Sequence, residues 1–317
     1  MNTITRTPAL PHGKSPILVT GAHRTGTTWV GKMLAASGQV AYISEPLNVW
    51  HRPGVMRTPV AHWYTYICNN NEAEFLPAMN QMLAYRYHLC AEMGSIRNGK
   101  DLLRMGRDLT IFINGRIYRK RPLLKDPFAV FSAPWFSRRL AFQVIITVRH
   151  PAAFVSSLKR LDWYFDFHDL LAQPLLMVDW LEPFRVEMES LPVDDIIGQA
   201  ALLWVMIYHV VAEYRKEHPD IIVVRHEDLS RNPLKSYQEL YDTLNLTFIP
   251  KVEKAIISSS SSKNPKEGTR SSVHSVRLDS RANLDSWKRG LSENEIARIR
   301  TMTASVSPLY YSDEDWE

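Results

Sequence analysis

The stretch from Pro16 to Gly31, P-I-L-V-T-G-A-H-R-T-G-T-T-W-V-G, constrains the fold of this chain more than any other. A short apolar, β-branched run ends in Gly21, and a second glycine follows five residues later at Gly26. After Thr27 and Thr28, the apolar residues Val30, Met33 and Leu34 fall at helical spacing. Strand, glycine-bounded turn and helix in that order make a phosphate loop, where backbone N–H groups and a helix N-terminus converge on an anion. The triphosphate version, G-x-x-x-x-G-K-S/T, carries a lysine that reaches the β- and γ-phosphates, and Thr27 stands in its place here. Arg24 puts a cation inside the loop instead. The pattern suits a phosphate but argues against ordinary ATP or GTP chemistry. Taken alone, it leaves open a nucleotide-fold turn whose glycines serve only geometry.

Composition sets wider bounds. A chain of 317 residues could hold two average domains, but α/β folds often use this length for one, and residues 1–317 read as one. A hydrophobic content of 45% is ample for a core. The net charge of +5 suits a small polyanionic ligand and is too mild and too evenly spread for nucleic acid. Cys68 and Cys90 have no C-x-x-C partner, so they read as helical core thiols, without a disulfide or a zinc site. The polar stretch Met1 to Lys14 lacks the apolar centre of a signal peptide. No 18 uninterrupted apolar residues suggest a membrane span, so the expectation is a cytoplasmic protein.

Along the chain, residues 26–37 read as the helix after the loop, stopped by Gly38, and Gln39 to Ser44 as a second strand ending at Glu45. A carboxylate at the C-terminal end of a strand in an open α/β sheet lies on the usual ligand edge, although a solvated turn residue before Pro46 is the plain alternative. Residues 50–119 are aromatic, basic and polar. They read as a mostly helical insertion that caps the sheet edge and walls part of an acceptor pocket. Arg121 to Lys125 is a short strand, and Phe142 to Val148 is the clearest buried one. The latter runs into Arg149 and a helix carrying Ser156, Ser157 and Lys159. An arginine at a strand end and a hydroxyl eight residues on can surround one phosphate; bonding to loop carbonyls is the bland alternative. Pro174, Pro183 and Pro192 divide residues 162–194 into short helices. A long helix follows over Ile196 to Glu217, then a strand at Ile221 to Val224 and a helix at Pro233 to Leu244. Residues 258–281 have the basic, serine-rich composition of a flexible loop, and Trp287 and a capped helix near Ser292 come after it.

The run Arg24-Thr25-Gly26-Thr27-Thr28-Trp29 resembles the 5′-phosphosulfate-binding loop of sulfotransferases that use 3′-phosphoadenosine 5′-phosphosulfate. Arg149 and Ser157 resemble the 3′-phosphate-binding element of the same family, and R-H-P-A-A-F-V-S-S-L-K-R-L after L-L-K-D-P looks like its bacterial members. The resemblance covers the whole nucleotide-binding half in the right order. It implies one P-loop-type α/β domain, with a four- to five-stranded parallel sheet, helices on both faces and helical insertions. It also implies that Gly21, Thr25, Gly26, Arg24 and the Thr27 and Thr28 hydroxyls hold the 5′-phosphosulfate. Arg149 and Ser157 would hold the 3′-phosphate, and Trp29 would pack on the adenine. The loop at 258–281 would close over the 3′-phosphate, with Arg277 the best positional match for its cation and Arg281 and Ser262 weaker ones.

The implied reaction is metal-independent, in-line transfer of a sulfuryl group to a hydroxyl or amine of a glycan or small-molecule acceptor. Negative charge grows on the departing nucleotide, so preorganised cations matter, and Arg24 and Lys125 are the candidates. Cytosolic members carry a histidine base two residues after the strand-three lysine, where this chain has Pro127. Glu45 stands where glycan- and tyrosine-modifying members carry a glutamate base, with Asp126, His51 and His62 as competitors. A P-loop small-molecule kinase and a nucleotide-binding protein without turnover remain as alternatives. The missing loop lysine counts against the first, and the joint presence of Arg24, Lys125 and Glu45 against the second.

Overall fold

In the computed structural model, which describes residues 14–266 and 277–317, the strands form one parallel sheet. They are β1 (Ile17–Gly21), β2 (Val40–Ser44), β3 (Arg121–Lys125), β4 (Gln143–Val148) and β5 (Ile222–Arg225), in the spatial order β2-β3-β1-β4-β5. Central β1 aligns Ile17 with Leu123 of β3 and with Gln143 of β4. The sheet is covered on both faces, which explains why its inner strands read as continuous apolar runs. Ile17 and Val19 pack with Val30, Met33, Leu34, Tyr237 and Tyr241 on one side. Leu18, Leu124, Val144 and Ile146 face the larger core on the other. Strand alternation around β1 thus builds the expected three-layer α/β fold of P-loop type.

The helix Ile196–Glu217 is the spine of the larger core, with Trp204, Tyr208 and Tyr214 almost wholly enclosed. It is long and apolar enough to cross a membrane, but its most apolar 18 residues are 78% buried inside the protein. In the insertion, residues 50–71 are irregular, and the helices Glu72–Leu83, Leu89–Met93 and Gly99–Ile117 follow. Gly99–Ile117 lies against β2 and shields the edge of the sheet from strand addition.

Three expectations are corrected. Cys68 is half-buried in the irregular stretch and Cys90 is exposed, so neither is a helical core thiol; both are free. The helix after the loop stops at Ala35, and Gly38 takes a left-handed turn (φ +75°) three residues beyond it. Residues 258–260, read as the start of a flexible loop, instead close the helix Pro250–Ser260. The reason is periodicity: Val252, Ile256 and Ser259 share its buried face, and Ser259 Oγ donates to the Ile256 carbonyl at 2.9 Å. The middle of the expected 3′-phosphate loop, 267–276, lies outside the described residues.

After β4, His150 is enclosed by C-terminal aromatic side chains. Its ring stacks on Trp287 (centroids 5.1 Å, 19° between planes) and meets Trp316 edge-on at 4.4 Å. Neither ring nitrogen has a hydrogen-bond partner among the described residues. Burial is the main cause that lowers its pKa to about 3, so the folded state holds it neutral. The unfolded chain binds the extra proton below about pH 6.5, and this group's contribution is therefore lost as pH falls. His150→Phe keeps the stack and removes that penalty. Relative to the parent, it is expected to flatten the loss of unfolding free energy between pH 7.5 and 5.5 by ~1.4 kcal/mol, the linkage value for one such group. Denaturant titrations at the two pH values check it, and parallel slopes for both proteins would contradict it.

Candidate active site

All the expected site elements except the 258–281 loop sit at the C-terminal ends of the strands, the ligand edge of such a sheet. Gly21 ends β1 at φ +139°, and a Cβ there would lie 2.4 Å from the Thr147 carbonyl of β4. Arg24 takes a left-handed conformation (φ 67°). Gly26, at φ +95°, precedes the helix Thr27–Ala35, and a Cβ there would meet His226 Nδ1 at 2.6 Å. Two sites where only glycine fits thus shape the turn around the helix N-terminus. Thr25 is turned inward: its Oγ1 donates to the Ala22 carbonyl (2.5 Å) and pairs with Thr147 Oγ1 (2.7 Å). It holds the loop's shape, whereas the Thr27 and Thr28 side chains line a cavity.

Arg149 at the end of β4 and Ser157 on the helix Pro151–Leu161 come together against this loop. Arg149 Nη1 donates to the Arg24 carbonyl (3.1 Å), and Arg24 Nε donates to Ser157 Oγ (3.2 Å). Arg149 is buried, yet its Nε has no hydrogen-bond partner among the described residues. Burial lowers the pKa of Arg149, with Glu227 opposing. That of Arg24 falls to about 10, through burial first and then the neighbouring Arg149 and Arg160. Two guanidiniums packed this closely favour an anion between or beside them. Next to them opens a cavity of about 490 Å³ lined by Arg149, Ser156, Ser157, Lys159, Arg160 and Arg289, with no carboxylate in its wall among the described residues.

A second cavity, about 710 Å³, is lined by Arg24 itself. His23, Arg24 and Glu45 line it together with aromatic side chains, among them Trp50, Trp63, Phe128 and Trp163, and with Asp166 and Asp169. Arg24 also lies over the Trp163 ring, 5.7 Å from its centroid. Glu45 follows β2 in a left-handed conformation (φ 52°), fixed by its N–H to the Lys125 carbonyl (2.8 Å). Its Oε1 pairs with the buried ammonium of Lys125, and its Oε2 accepts from Asn48 Nδ2 at 2.9 Å. Asp126 is turned away into the fold: it accepts from the N–H groups of Leu47 (2.6 Å) and Phe128 (2.9 Å) and caps the short helical turn Pro127–Ser132. Burial, with Glu45 nearby, raises its pKa to about 7.

The other expected residues are placed as follows. Trp29 is 8% exposed in the smaller core, where its Nε1 donates to Ser259 Oγ (2.9 Å) and its ring meets Tyr237 and His226 edge-on. Arg277 is exposed beside the undescribed segment, Ser262 is exposed, and Arg281 donates to the Arg231 carbonyl (3.1 Å); none lines either cavity. Arg289, from the short helix Ser286–Gly290, lines the basic cavity, and nothing in its sequence context marked it. Arg160 had a signal, since it lies three and four residues after Ser157 and Ser156 on one helix. His23 had one too, by its place inside the glycine-bounded loop.

The model of the Sulfotransferase family matches residues 16–250. No curated protein matches the chain. Solved structures similar to it include the sulfotransferase domain from the Synechococcus PCC 7002 olefin synthase, at 15% identity over 96% of this chain and 98% of that one, with a TM-score of 0.46. Sulfotransferase STF9 from Mycobacterium avium is 12% identical over 94% of this chain and 77% of that one, with a TM-score of 0.46. Mouse sulfotransferase SULT7A1, complexed with PAP, is 11% identical over 95% and 86%, with a TM-score of 0.42.

Proposed function

This chain belongs to the sulfotransferase family, and we propose that it moves a sulfuryl group from 3′-phosphoadenosine 5′-phosphosulfate to a hydroxyl or amine of an uncharged or cationic acceptor. The observation that carries the donor assignment is Arg149, a buried guanidinium whose cavity has no carboxylate in its wall and whose Nε has no hydrogen-bond partner among the described residues, with Nη1 on the carbonyl of Arg24. A buried polar group without a partner costs about 1–3 kcal/mol, more when charged, and a phosphate oxygen relieves that cost. Arg149, Ser157 and Arg289 would hold the 3′-phosphate, and the loop from Gly21 to Thr28 the 5′-phosphosulfate.

The reaction forms a bond from the acceptor atom to sulfur and breaks the bond from sulfur to the bridging phosphate oxygen. Charge builds on the departing nucleotide, and Arg24 with the helix N-terminus at Thr27 lies where it can be met. Glu45 takes the proton that the acceptor loses. Lys125 and Asn48 hold its carboxylate still, so that one group is already oriented before the acceptor arrives.

The acceptor cavity has the opposite character to the donor cavity. Its aromatic lining suits an apolar ring or a sugar face, and the carboxylates of Asp166 and Asp169 accept hydrogen bonds and repel anions. With sulfur-35-labelled donor and a panel of neutral sugars, aromatic alcohols, amines and uronic acids, label is expected in neutral or cationic members. Preferential labelling of the uronic acids would contradict the acceptor reading.

A further inference from the structure

His23 stands inside the phosphate loop, and its ring lines the acceptor cavity beside Glu45. The ring rests on Phe128 (centroids 6.3 Å, 26°), with Phe154 and Trp163 at its edges. Its Nδ1 lies 2.6 Å from the hydroxyl of Tyr64, a fully buried side chain. The same hydroxyl accepts from the backbone N–H of His23 at 3.2 Å. An N–H must donate, so Tyr64 is the acceptor in that bond; Nδ1 is the only other group that the described residues place within hydrogen-bond distance of the hydroxyl, so its proton goes there. Nδ1 is then an acceptor, and the ring proton of a neutral imidazole resides on Nε2. No described residue takes up Nε2. Burial pushes the Tyr64 pKa up, so the phenol keeps its proton, and burial lowers that of His23 to about 3, with Arg24 adding. The histidine is therefore a neutral donor and a poor base, which separates its role from that of Glu45.

We propose that His23 is a further catalytic residue: locked by Tyr64 as the Nε2–H tautomer, it donates a hydrogen bond to the attacking oxygen of the acceptor while Glu45 removes that oxygen's proton. The inference rests on the sulfotransferase reading above and narrows it. A hydroxyl oxygen has two lone pairs, one to accept from His23 and one to attack sulfur. A neutral amine has one and cannot do both. The acceptor is therefore a hydroxyl, and the product a sulfate ester. No proton moves to or from His23; it arrives and leaves as the neutral imidazole. Tyr64 acts through His23 and is a positioning residue.

The test begins with long-range proton–nitrogen spectra of protein labelled with nitrogen-15 histidine, the His23 signal being identified by its loss in His23→Gln. A neutral ring protonated on Nε2 is expected, giving way in Tyr64→Phe to a mixture of tautomers. A proton on Nδ1 in the parent protein would overturn the proposal. Turnover is then read as hydrolysis of labelled 3′-phosphoadenosine 5′-phosphosulfate, in which water is the hydroxyl acceptor. His23→Phe, which the surrounding aromatic rings accommodate, is expected to be slower by roughly 10²-fold, the acceptor oxygen having lost the group that positions it for attack. His23→Gln, which keeps an N–H, is expected to recover about tenfold of that loss, and affinity for 3′,5′-adenosine bisphosphate to stay within about threefold in both. Unchanged hydrolysis in His23→Phe would also overturn it. Failure of the parent protein to bind the bisphosphate would instead remove the sulfotransferase reading, and this inference with it.

Discussion

Glu45→Gln lowers turnover by ~10²-fold or more and leaves affinity for 3′,5′-adenosine bisphosphate within about threefold: this is the result expected if Glu45 is the base. Glutamine keeps the shape, and its amide oxygen still accepts from Lys125, so the buried ammonium keeps a hydrogen bond while losing its counter-charge and the Asn48 contact. What is lost is the ability to take a proton. The competing groups are engaged elsewhere. Asp126 is buried, is not among the residues lining the cavity that Glu45 lines, and holds the backbone N–H groups of Leu47 and Phe128. The ring nitrogens of His51 face the Asn48 and Met56 carbonyls, and His62 leans on Asp169 at 3.3 Å. Near-normal turnover in Glu45→Gln, with loss on replacing one of these three, would move the base.

The second large effect is expected from Arg149→Ala. A charge-assisted contact of this kind contributes about 1.5–3 kcal/mol, so bisphosphate affinity should fall by roughly 10- to 150-fold. The nucleotide-free protein should behave differently. Burial disfavours the charged guanidinium and Glu227 only partly offsets this, with no carboxylate bonded to it among the described residues, so removing the buried cation relieves a desolvation cost and the melting temperature should hold or rise. A purely structural arginine would give the reverse: lower melting temperature and unchanged affinity. Both readings come from one variant.

Much of this site could be read from residue order because its parts are local. The turn at Gly21–Gly26 needs glycines at fixed places, and Arg149 and Ser157 are related by strand-end and helix spacing. The same locality covers all five strands, whose apolar runs are short and bounded. What escaped was set by packing across distant segments. Ser259 turns out to be a buried residue because Trp29, 230 residues away in sequence, packs there and donates to its hydroxyl. Arg289 reaches the basic cavity because the short helix Ser286–Gly290 docks on Pro151–Leu161. Cys90 looked like a core residue by type, but its short helix leaves it exposed. The tautomer of His23 depends on Tyr64, 41 residues on, in a stretch with no regular secondary structure.

The most direct test of the central claim is calorimetric titration of the protein with 3′,5′-adenosine bisphosphate and with ATP, each with and without magnesium. The loop has Thr27 where a triphosphate site has lysine, and Arg149 and Ser157 supply a place for a 3′-phosphate that ATP lacks. The bisphosphate is expected to bind at least tenfold more tightly, about 1.4 kcal/mol or more, without need of the metal. Equal affinities, or binding that appears only with magnesium, would contradict the account.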